Sequence, residues 1–198
     1  MAGRVRLGLF GGTFDPIHDA HLTLAHAAVA ACGLEELLFI PAARPPHRSL
    51  GPHAGYEDRF AMVQLAIGGA PRFTASRLEA GDAVSYSIQT IQKVAALHPG
   101  AELFFVIGAD AFAEIRTWKR WREVVAAVQF IVAARPGAEY MAPEGAVVHR
   151  VELRMEISSS AVRALLQAGG DAVPVPAAVI EYIRTHGLYA GHGGSENR

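Results

Sequence analysis

The segment GLFGGTFDPIHDAHL (Gly8–Leu22) joins an apolar run to a stretch of helical period through a glycine-rich turn. Glycines let the main chain approach a ligand closely, and the first turn of the following helix leaves N–H groups without intrahelical partners. His18 and His21 are three residues apart, so both imidazoles are predicted to lie on one face of that turn. The segment therefore predicts a strand–turn–helix junction that binds an anionic ligand.

The glycine spacing of this turn differs from that of the common nucleotide-binding loops. It does not match G-x-G-x-x-G, and no G-K-[ST] follows it. A phosphate site here would use imidazole where a P-loop uses lysine. Two structural alternatives remain open. His18 and His21 could form half of a zinc site, although no third ligand is evident in a suitable frame, or they could cap and pack the helix.

Composition restricts the class of protein. The 198 residues are 51% hydrophobic and 19% charged, which suits one well-packed domain. The net charge of −1 provides no global basic surface for long nucleic acid. The single cysteine, Cys32, excludes an intramolecular disulfide and a cysteine-rich zinc site. Because the N-terminus lacks a signal-peptide pattern and no apolar segment reaches about 18 residues, we expect a soluble, cytoplasmic protein without membrane contact.

Apolar runs typical of buried strands alternate with segments of helical period, which predicts a parallel sheet with helices on both faces. The predicted strands are residues 5–10, 37–41, 72–76, 103–108 and 130–134, with a weaker one within 147–153. The predicted helices are residues 20–32, 57–67, 88–97, 118–126, 159–167 and 177–185. Two stretches rich in Pro and Gly, 41–55 and 134–146, predict loops. We expect residues 1–190 to form a single domain and residues 191–198 a disordered tail.

A second polar group lies far along the chain, in MEISSSAVRALLQAG (residues 155–169). Ser158, Ser159 and Ser160 stand at the start of a predicted amphipathic helix, and Arg163 lies one turn into it. A capping serine and a solvated arginine would account for part of this pattern. Because a first-turn arginine opposes the helix dipole unless an anion offsets it, the three hydroxyls and Arg163 also suit a phosphate site.

The two segments together resemble the signatures of a known superfamily. GGTFDPIHDAH is similar to G-G-[ST]-F-D-P-x-H-x-G-H, and ISSSAVR is similar to I-S-S-T-x-x-R, of the nucleotidyltransferases with the [HT]-x-G-H motif. Within it, PPHR, VSYSIQTI, GADAFAEIRTWKRW and VIEYIRTHGLY resemble the bacterial nicotinate-nucleotide adenylyltransferases over about residues 5–190. Three positions depart from the pattern: Ala20 replaces a glycine, Ser160 a threonine and Arg48 a lysine. Ala20 matters most, because its methyl group is expected near the adenine.

The resemblance implies a Rossmann-like nucleotidyltransferase fold and an enzyme of NAD biosynthesis. Such enzymes transfer the adenylyl group of ATP to nicotinate mononucleotide and release pyrophosphate. Mg²⁺ is expected with ATP, held mainly by phosphates and not by a protein metal site. The alternatives are an adenylyltransferase that prefers nicotinamide mononucleotide or another phosphate acceptor, and a nucleotide-binding sensor without turnover. No oligomeric state is predicted.

The same resemblance implies roles for residues on the ATP side. His18 and His21 are expected at the reacting α-phosphate, and Arg163 is the third expected catalytic residue. Arg163, Ser159 and Ser160 are expected at the β- and γ-phosphates. The turn after the first strand is expected to contact ATP, mainly through its main chain, at Gly11, Gly12, Thr13 and Phe14. The ribose hydroxyls are expected to contact Gly108 and Asp110. Asp110 could instead cap the next short helix.

On the acceptor side, the resemblance implies contacts from Arg48, Ser85, Tyr86, Ser87 and Trp118. The N–H groups of Tyr86 and Ser87 are expected to bind the nicotinate carboxylate at a helix start, and Trp118 to stack on the pyridine ring. A purely capping role for Ser85 or Ser87 stays open. Trp121 is predicted as a core residue. The loop that carries Arg44, His47 and Arg48 either closes over phosphates or is simply solvated.

Overall fold

The computed structural model describes residues 4–44, 51–154, 157–170 and 172–190. Its strands are β1 (Arg6–Gly12), β2 (Glu36–Pro41), β3 (Phe73–Ala75), β4 (Glu102–Gly108), β5 (Gln129–Ala134) and β6 (Val148–Glu152). They form one sheet in the order β3-β2-β1-β4-β5-β6, and all neighbouring strands are parallel. The predicted parallel sheet is confirmed, and so is the weaker sixth strand.

The helices are α1 (Asp19–Cys32), α2 (Tyr56–Ile67), α3 (Ser87–Leu97), α4 (Ala109–Ala113), α5 (Trp121–Ala127), α6 (Ser159–Gln167) and α7 (Ala177–Thr185). They cover both faces of the sheet, as predicted. Buried residues of α1, α2, α6 and α7 pack with Phe10 and Phe39, whereas those of α3 and α5 pack with Leu9 and Phe105. None of the helices described is long and apolar enough to cross a membrane.

The helix predicted at residues 118–126 begins in the wrong place. The chain instead forms the short helix α4 and a 3₁₀ turn (Ile115–Thr117), and α5 starts only at Trp121. Arg120 precedes α5 with a left-handed φ of 54°, which a continuous right-handed helix cannot contain. Trp118 has an extended backbone before this break and therefore lies on a connection, not on a helix.

The strand order reverses at β1, which separates β2 from β4. Leu9 of β1 pairs with Leu38 on one side and with Phe105 on the other, although these neighbours are far apart in the chain. In doubly wound sheets, ligands bind beyond the carboxyl ends of the strands at such a switch point. Gly12 and Gly108 are the last residues of β1 and β4. The fold therefore brings the turn after Gly12 next to the segment that follows Gly108.

Candidate active site

The turn after β1 is closely packed. A Cβ atom on Gly12 would lie 2.9 Å from the ring of Phe14, so this approach requires glycine. Phe14 has a left-handed φ of 48° and a ring that is 1% exposed. That ring contacts His21, with the ring centroids 5.1 Å apart. Phe14 thus supports the turn from the core, and its ring packs against the imidazole of His21 at an interplanar angle of 75°.

The structure brings His18 and His21 together as predicted. His18 is the residue before α1, and His21 lies in the first turn of that helix. Their rings stack with centroids 3.7 Å apart and planes 24° apart. The main-chain N–H of His18 donates to Nδ1 of His21 at 3.2 Å. In the neutral ring, the proton of His21 is therefore on Nε2, which leaves an N–H donor for a ligand. One ring nitrogen is occupied and the rings are parallel, which does not suit the zinc half-site considered above.

Both imidazoles are neutral at neutral pH. Burial lowers the pKa of His18 to about 4, and an interaction of the ring with its own backbone, which raises the pKa, offsets this only in part. Burial, followed by the charge of the neighbouring His18, holds the pKa of His21 well below its ordinary value. Nδ1 of His18 is buried and has no hydrogen-bond partner within the described ranges. That atom needs a partner from a ligand or solvent, because an unpaired buried polar atom is costly.

The serine and arginine segment docks onto the same turn. The hydroxyl of Ser159 donates to the carbonyl of Pro16 at 3.1 Å, and Nη1 of Arg163 donates to the carbonyl of Asp15 at 2.7 Å. Ser158 is the N-cap of α6, because its Oγ accepts the N–H of Ala161. The capping interpretation therefore holds for Ser158. The two segments, more than 140 residues apart, form one site.

A cavity of 880 Å³ opens beside these residues, and we call it the histidine cavity. Predicted ATP contacts from three parts of the chain line it: His18, His21, Gly108, Asp110 and Ser159. Asp110 is exposed in the first turn of α4, whose N-cap is Gly108, so the capping alternative for Asp110 is wrong. Ala20 also lines the cavity, where its methyl group occupies space that a glycine would leave. Ser160 is exposed, and its hydroxyl lies 2.9 Å from that of Ser158.

Two further cavities lie on the α3 side, and Trp118 lines both. The first tryptophan cavity, of 340 Å³, is also lined by Gly11, Gly12 and Thr13, and the second, of 590 Å³, by Tyr86. The ring of Trp118 packs edge-on against Phe105 at 5.9 Å, which fixes its orientation. Trp121 is partly buried against the same side of the core, in agreement with its prediction.

The start of α3 faces these two cavities. Ser85 and Ser87 line both, and Tyr86 is the N-cap residue of α3. Neither serine is therefore the helix cap that the alternative assigned. Instead, Ser85 exchanges two hydrogen bonds with Arg44, whose N–H donates to Oγ at 3.2 Å and whose carbonyl accepts the Ser85 N–H at 3.0 Å. The predicted contact Arg48, with His47, lies outside the described residues.

Two positioning residues were missed by the sequence analysis, and the first is Asp15. Its carboxylate is fully buried and accepts the N–H groups of His53 and Ala54 and the hydroxyl of Tyr189 at 2.8–3.0 Å. Burial alone would raise the pKa of Asp15, but these donors and the guanidinium of Arg163 hold it below its ordinary value. Asp15 is thus an ionised anchor for three separate parts of the chain.

The second is Arg59 of α2, which is 1% exposed. Its Nη1 donates to the carbonyl of Thr13 at 2.7 Å, and its Nε donates to the carbonyl of Ala54 at 3.2 Å. Its Nη2 reaches the carbonyl of Ala43 at 3.5 Å. Arg59 therefore holds the turn after β1 against both ends of the loop that follows β2. No local spacing indicates either role, because the partners are distant in sequence.

Comparison with known proteins agrees with this geometry. The cytidylyltransferase-like family model matches residues 9–165. A protein of Solibacter usitatus named "Probable nicotinate-nucleotide adenylyltransferase" is 52% identical over 93% of this chain and 100% of its own length. A relative of the same name from Thermus thermophilus is 42% identical over the same shares. The residues matched by the family model include both the histidine turn and the serine and arginine segment.

The fold has a solved counterpart as well. The structure of a Plasmodium falciparum nicotinic acid mononucleotide adenylyltransferase, complexed with NaAD, superimposes with a TM-score of 0.78. The match covers 94% of this chain and 98% of that chain at 20% sequence identity, so it supports the Rossmann-like nucleotidyltransferase fold. The chain therefore belongs to the nicotinate-nucleotide adenylyltransferases, a family of nucleotidyltransferase enzymes within the cytidylyltransferase-like proteins.

Proposed function

We propose that this protein transfers the adenylyl group of ATP to nicotinate mononucleotide, forming nicotinate adenine dinucleotide and pyrophosphate for NAD biosynthesis. One observation carries the proposal. The histidine cavity and the first tryptophan cavity adjoin at the ends of β1 and β4, because both are lined by Phe10, Gly108 and Ala111. ATP would occupy the histidine cavity and the acceptor nucleotide the tryptophan cavities. The reacting phosphates would then meet at the shared wall.

The reaction needs alignment more than proton transfer. The acceptor phosphate has a second pKa of about 6, so it is largely dianionic at neutral pH without a general base. One of its oxygens forms a bond to the α-phosphorus of ATP. The bond from that phosphorus to the bridging oxygen breaks, and pyrophosphate leaves with the electron pair. The protein has to bring two anions together and relieve charge on the α-phosphate and the leaving group.

The histidine pair suits that task. His21 presents an Nε2–H donor because its other nitrogen accepts the N–H of His18. The two rings fix each other by stacking, so their donors need no reorganisation during the reaction. Since both imidazoles are neutral, they are proposed to act as hydrogen-bond donors to the α-phosphate and not as acids with a full charge.

The start of α6 would hold the β- and γ-phosphates. Ser160 offers a hydroxyl at a helix N-terminus, and Ser159 would turn its single O–H from the carbonyl of Pro16 to a phosphate oxygen. Arg163 lies one turn further, with a side chain that is 12% exposed. One N–H of Arg163 already donates to Asp15. A guanidinium has five donors, so Arg163 could keep that contact and still bind a phosphate oxygen. Gly108 and Asp110 would contact the ribose.

Mg²⁺ would enter as part of the MgATP substrate. No group of three His, Cys, Asp or Glu side chains within the described ranges could hold a metal ion. The groups beside the expected phosphates are imidazoles and hydroxyls, which leaves the ion to the phosphate oxygens. Mg²⁺ usually binds in this way and keeps several waters. When bound, it would neutralise charge on the leaving pyrophosphate.

The acceptor nucleotide would lie between Trp118 and the start of α3. The pyridine ring would stack on Trp118, whose orientation is fixed by Phe105. The N–H groups of Tyr86 and Ser87 would bind the nicotinate carboxylate. Neither N–H donates to another group among the described residues, so both are available. Arg48 is proposed to act from the loop after β2.

A single assay tests the proposed function. Pyrophosphate release from MgATP is measured with nicotinate mononucleotide, nicotinamide mononucleotide, phosphopantetheine or glycerol 3-phosphate as acceptor. We expect release with the pyridine nucleotides and the fastest release with the acid. Calorimetric titration with ATP in the same preparation separates an inactive protein from a nucleotide-binding sensor. Tight ATP binding without release in any arm would establish the sensor and overturn the proposed function.

A further inference from the structure

We propose that Lys119 is a specificity-determining residue, which makes the acceptor site prefer the acid nucleotide over its amide. This inference rests on the proposed function and deepens it. Nicotinate and nicotinamide mononucleotides differ only in the pyridine substituent, which is a carboxylate in one and an uncharged carboxamide in the other. The charges that surround this substituent therefore contribute to the choice between them, in addition to the N–H donors.

Lys119 is placed to act on that substituent. It lines the second tryptophan cavity together with Ser85, Tyr86, Ser87 and Trp118. Its Nζ lies 4.1 Å from the centroid of the Tyr86 ring, in a cation–π contact. Tyr86 immediately precedes α3, so this contact holds an ammonium group on the side chain of a residue whose N–H would bind the carboxylate, in the same cavity as Ser87.

Within the described residues, the other charged side chains that line the two tryptophan cavities are carboxylates, which repel the carboxylate of the acid nucleotide. Glu114 lines the same cavity, and Glu79 lines the first tryptophan cavity with a carboxylate that is 5% exposed. Oε1 of Glu79 accepts the hydroxyl of Thr90, whereas Oε2 has no partner within the described part of the chain. Two carboxylates disfavour a third on the ligand, whereas the carboxamide of the amide nucleotide is uncharged and the cationic pyridinium ring is common to both nucleotides. A nearby cation would offset this repulsion and add to the preference for the acid that the N–H groups provide.

Lys119 is the cation available for this purpose. Among the described residues that line the two tryptophan cavities, it is the only lysine or arginine. Within the same ranges, no carboxylate forms an ion pair with its ammonium, in contrast to Lys93, which pairs with Asp82 at 2.8 Å. A positive charge beside the start of a helix is unfavourable without an anion. The ligand carboxylate would supply that anion.

The test compares kcat and KM for both pyridine nucleotides in four proteins: the wild type, Lys119→Met, Lys119→Arg and Arg122→Met. Arg122→Met is the matched control, because it also removes one positive charge, three residues from Lys119 in the sequence. Its guanidinium lies over Trp121, at 4.5 Å from the ring centroid, and it lines neither tryptophan cavity. We expect Lys119→Met to lower the acid-to-amide ratio of kcat/KM by about tenfold, as befits one charge pair near the surface. The change should lie in the KM for the acid.

Further results sharpen the comparison. Lys119→Arg should keep the ratio within about threefold of the wild type, because it preserves the charge. Added salt should reduce the ratio in the wild type more than in Lys119→Met, because it screens the charge pair. An unchanged ratio in Lys119→Met, or an equal fall in Arg122→Met, would overturn this inference alone. A wild type that adenylylates neither nucleotide would overturn the proposed function, and this inference with it.

Discussion

The hydroxyl of Tyr189 donates a hydrogen bond to Oδ1 of Asp15 at 2.8 Å, across 174 residues of sequence. Asp15 lies in the turn after β1, and its carbonyl accepts a hydrogen bond from Arg163. The end of the described chain and the start of α6 are therefore both anchored on one residue of the proposed phosphate site. Burial, together with the charge of Asp15, raises the pKa of Tyr189, so the tyrosine remains a donor throughout the physiological range.

Tyr189→Phe should lower the free energy of unfolding by about 1–2 kcal/mol, because a buried carboxylate loses one of its donors. Urea denaturation measures this change. Tyr182→Phe is the matched control, since it removes a hydroxyl that donates to the half-buried Asp58 at 3.0 Å. Water can replace that donor, so the control should lose less than about 0.5 kcal/mol. Equal losses in the two variants would mean that Asp15 is not a special anchor.

The order of strands and helices could be predicted because it depends on local patterns of apolar residues. The start of α5 could not be predicted in the same way. The break at Arg120 carries neither Gly nor Pro, so nothing in the local composition indicates its left-handed backbone. Residues 109–113 are too few for helical periodicity to be visible, so only a short helix near Asp110 could be expected, without its bounds.

The site residues that could be predicted are likewise those with a local sequence pattern. His18 and His21 could be found because three-residue spacing places them together, and Ser159 and Arg163 because they share one helical turn. Asp15 and Arg59 could not be found, because their partners lie up to 174 residues away. A sequence pattern identifies groups that act together within one turn, but it does not identify the long-range hydrogen bonds that hold such groups in position.

The stacked histidines predict a kinetic effect. His18→Ala should lower kcat by about 10²-fold or more, which is the scale for loss of one preorganised donor, while ATP binding weakens less. His26→Ala is the control on the same helix: its side chain is exposed and packs on Phe73, outside the histidine cavity. Steady-state kinetics with MgATP measure both variants. If His18→Ala keeps the wild-type kcat, His18 has no part in the chemical step.

Burial of His18 also makes stability depend on pH. The pKa of His18 is about 4 in the folded protein and 6.5 when unperturbed, so unfolding takes up a proton between these values. Stability is fully present above pH 6.5 and falls by about 3 kcal/mol as the pH drops to 4. Asp15 acts in a lower window, because its lowered pKa costs stability only as the pH falls through and below 3.8.

This dependence is measured by urea denaturation at pH 7, 6, 5 and 4, with each protein referred to its own value at pH 7. In His18→Gln, the free energy of unfolding should fall less between pH 7 and 4, because most of the loss caused by protonation of His18 is removed. The remaining fall includes the contribution of His21, whose pKa is also lowered. Parallel curves for the wild type and His18→Gln would show that the imidazole of His18 is not buried in solution.

The last prediction concerns the N–H of Ser87, which is proposed to bind the nicotinate carboxylate. Ser87 is the first residue of α3, a position where proline is well accommodated because its N–H needs no intrahelical partner. Tyr86 before it is extended, with φ of −107° and ψ of 123°, which is the backbone that a following proline requires. Ser87→Pro should therefore fold while it deletes a single N–H donor.

The expected result separates the main chain from the side chain. Ser87→Pro should lower kcat/KM for nicotinate mononucleotide by about 10- to 100-fold, the cost of an unpaired charged acceptor, and the amide should lose less. Ser87→Ala retains the N–H and should keep most of the preference for the acid. Circular dichroism and urea denaturation verify that both variants are folded. If Ser87→Ala reduces the preference as much as Ser87→Pro, the hydroxyl and not the main chain recognises the carboxylate.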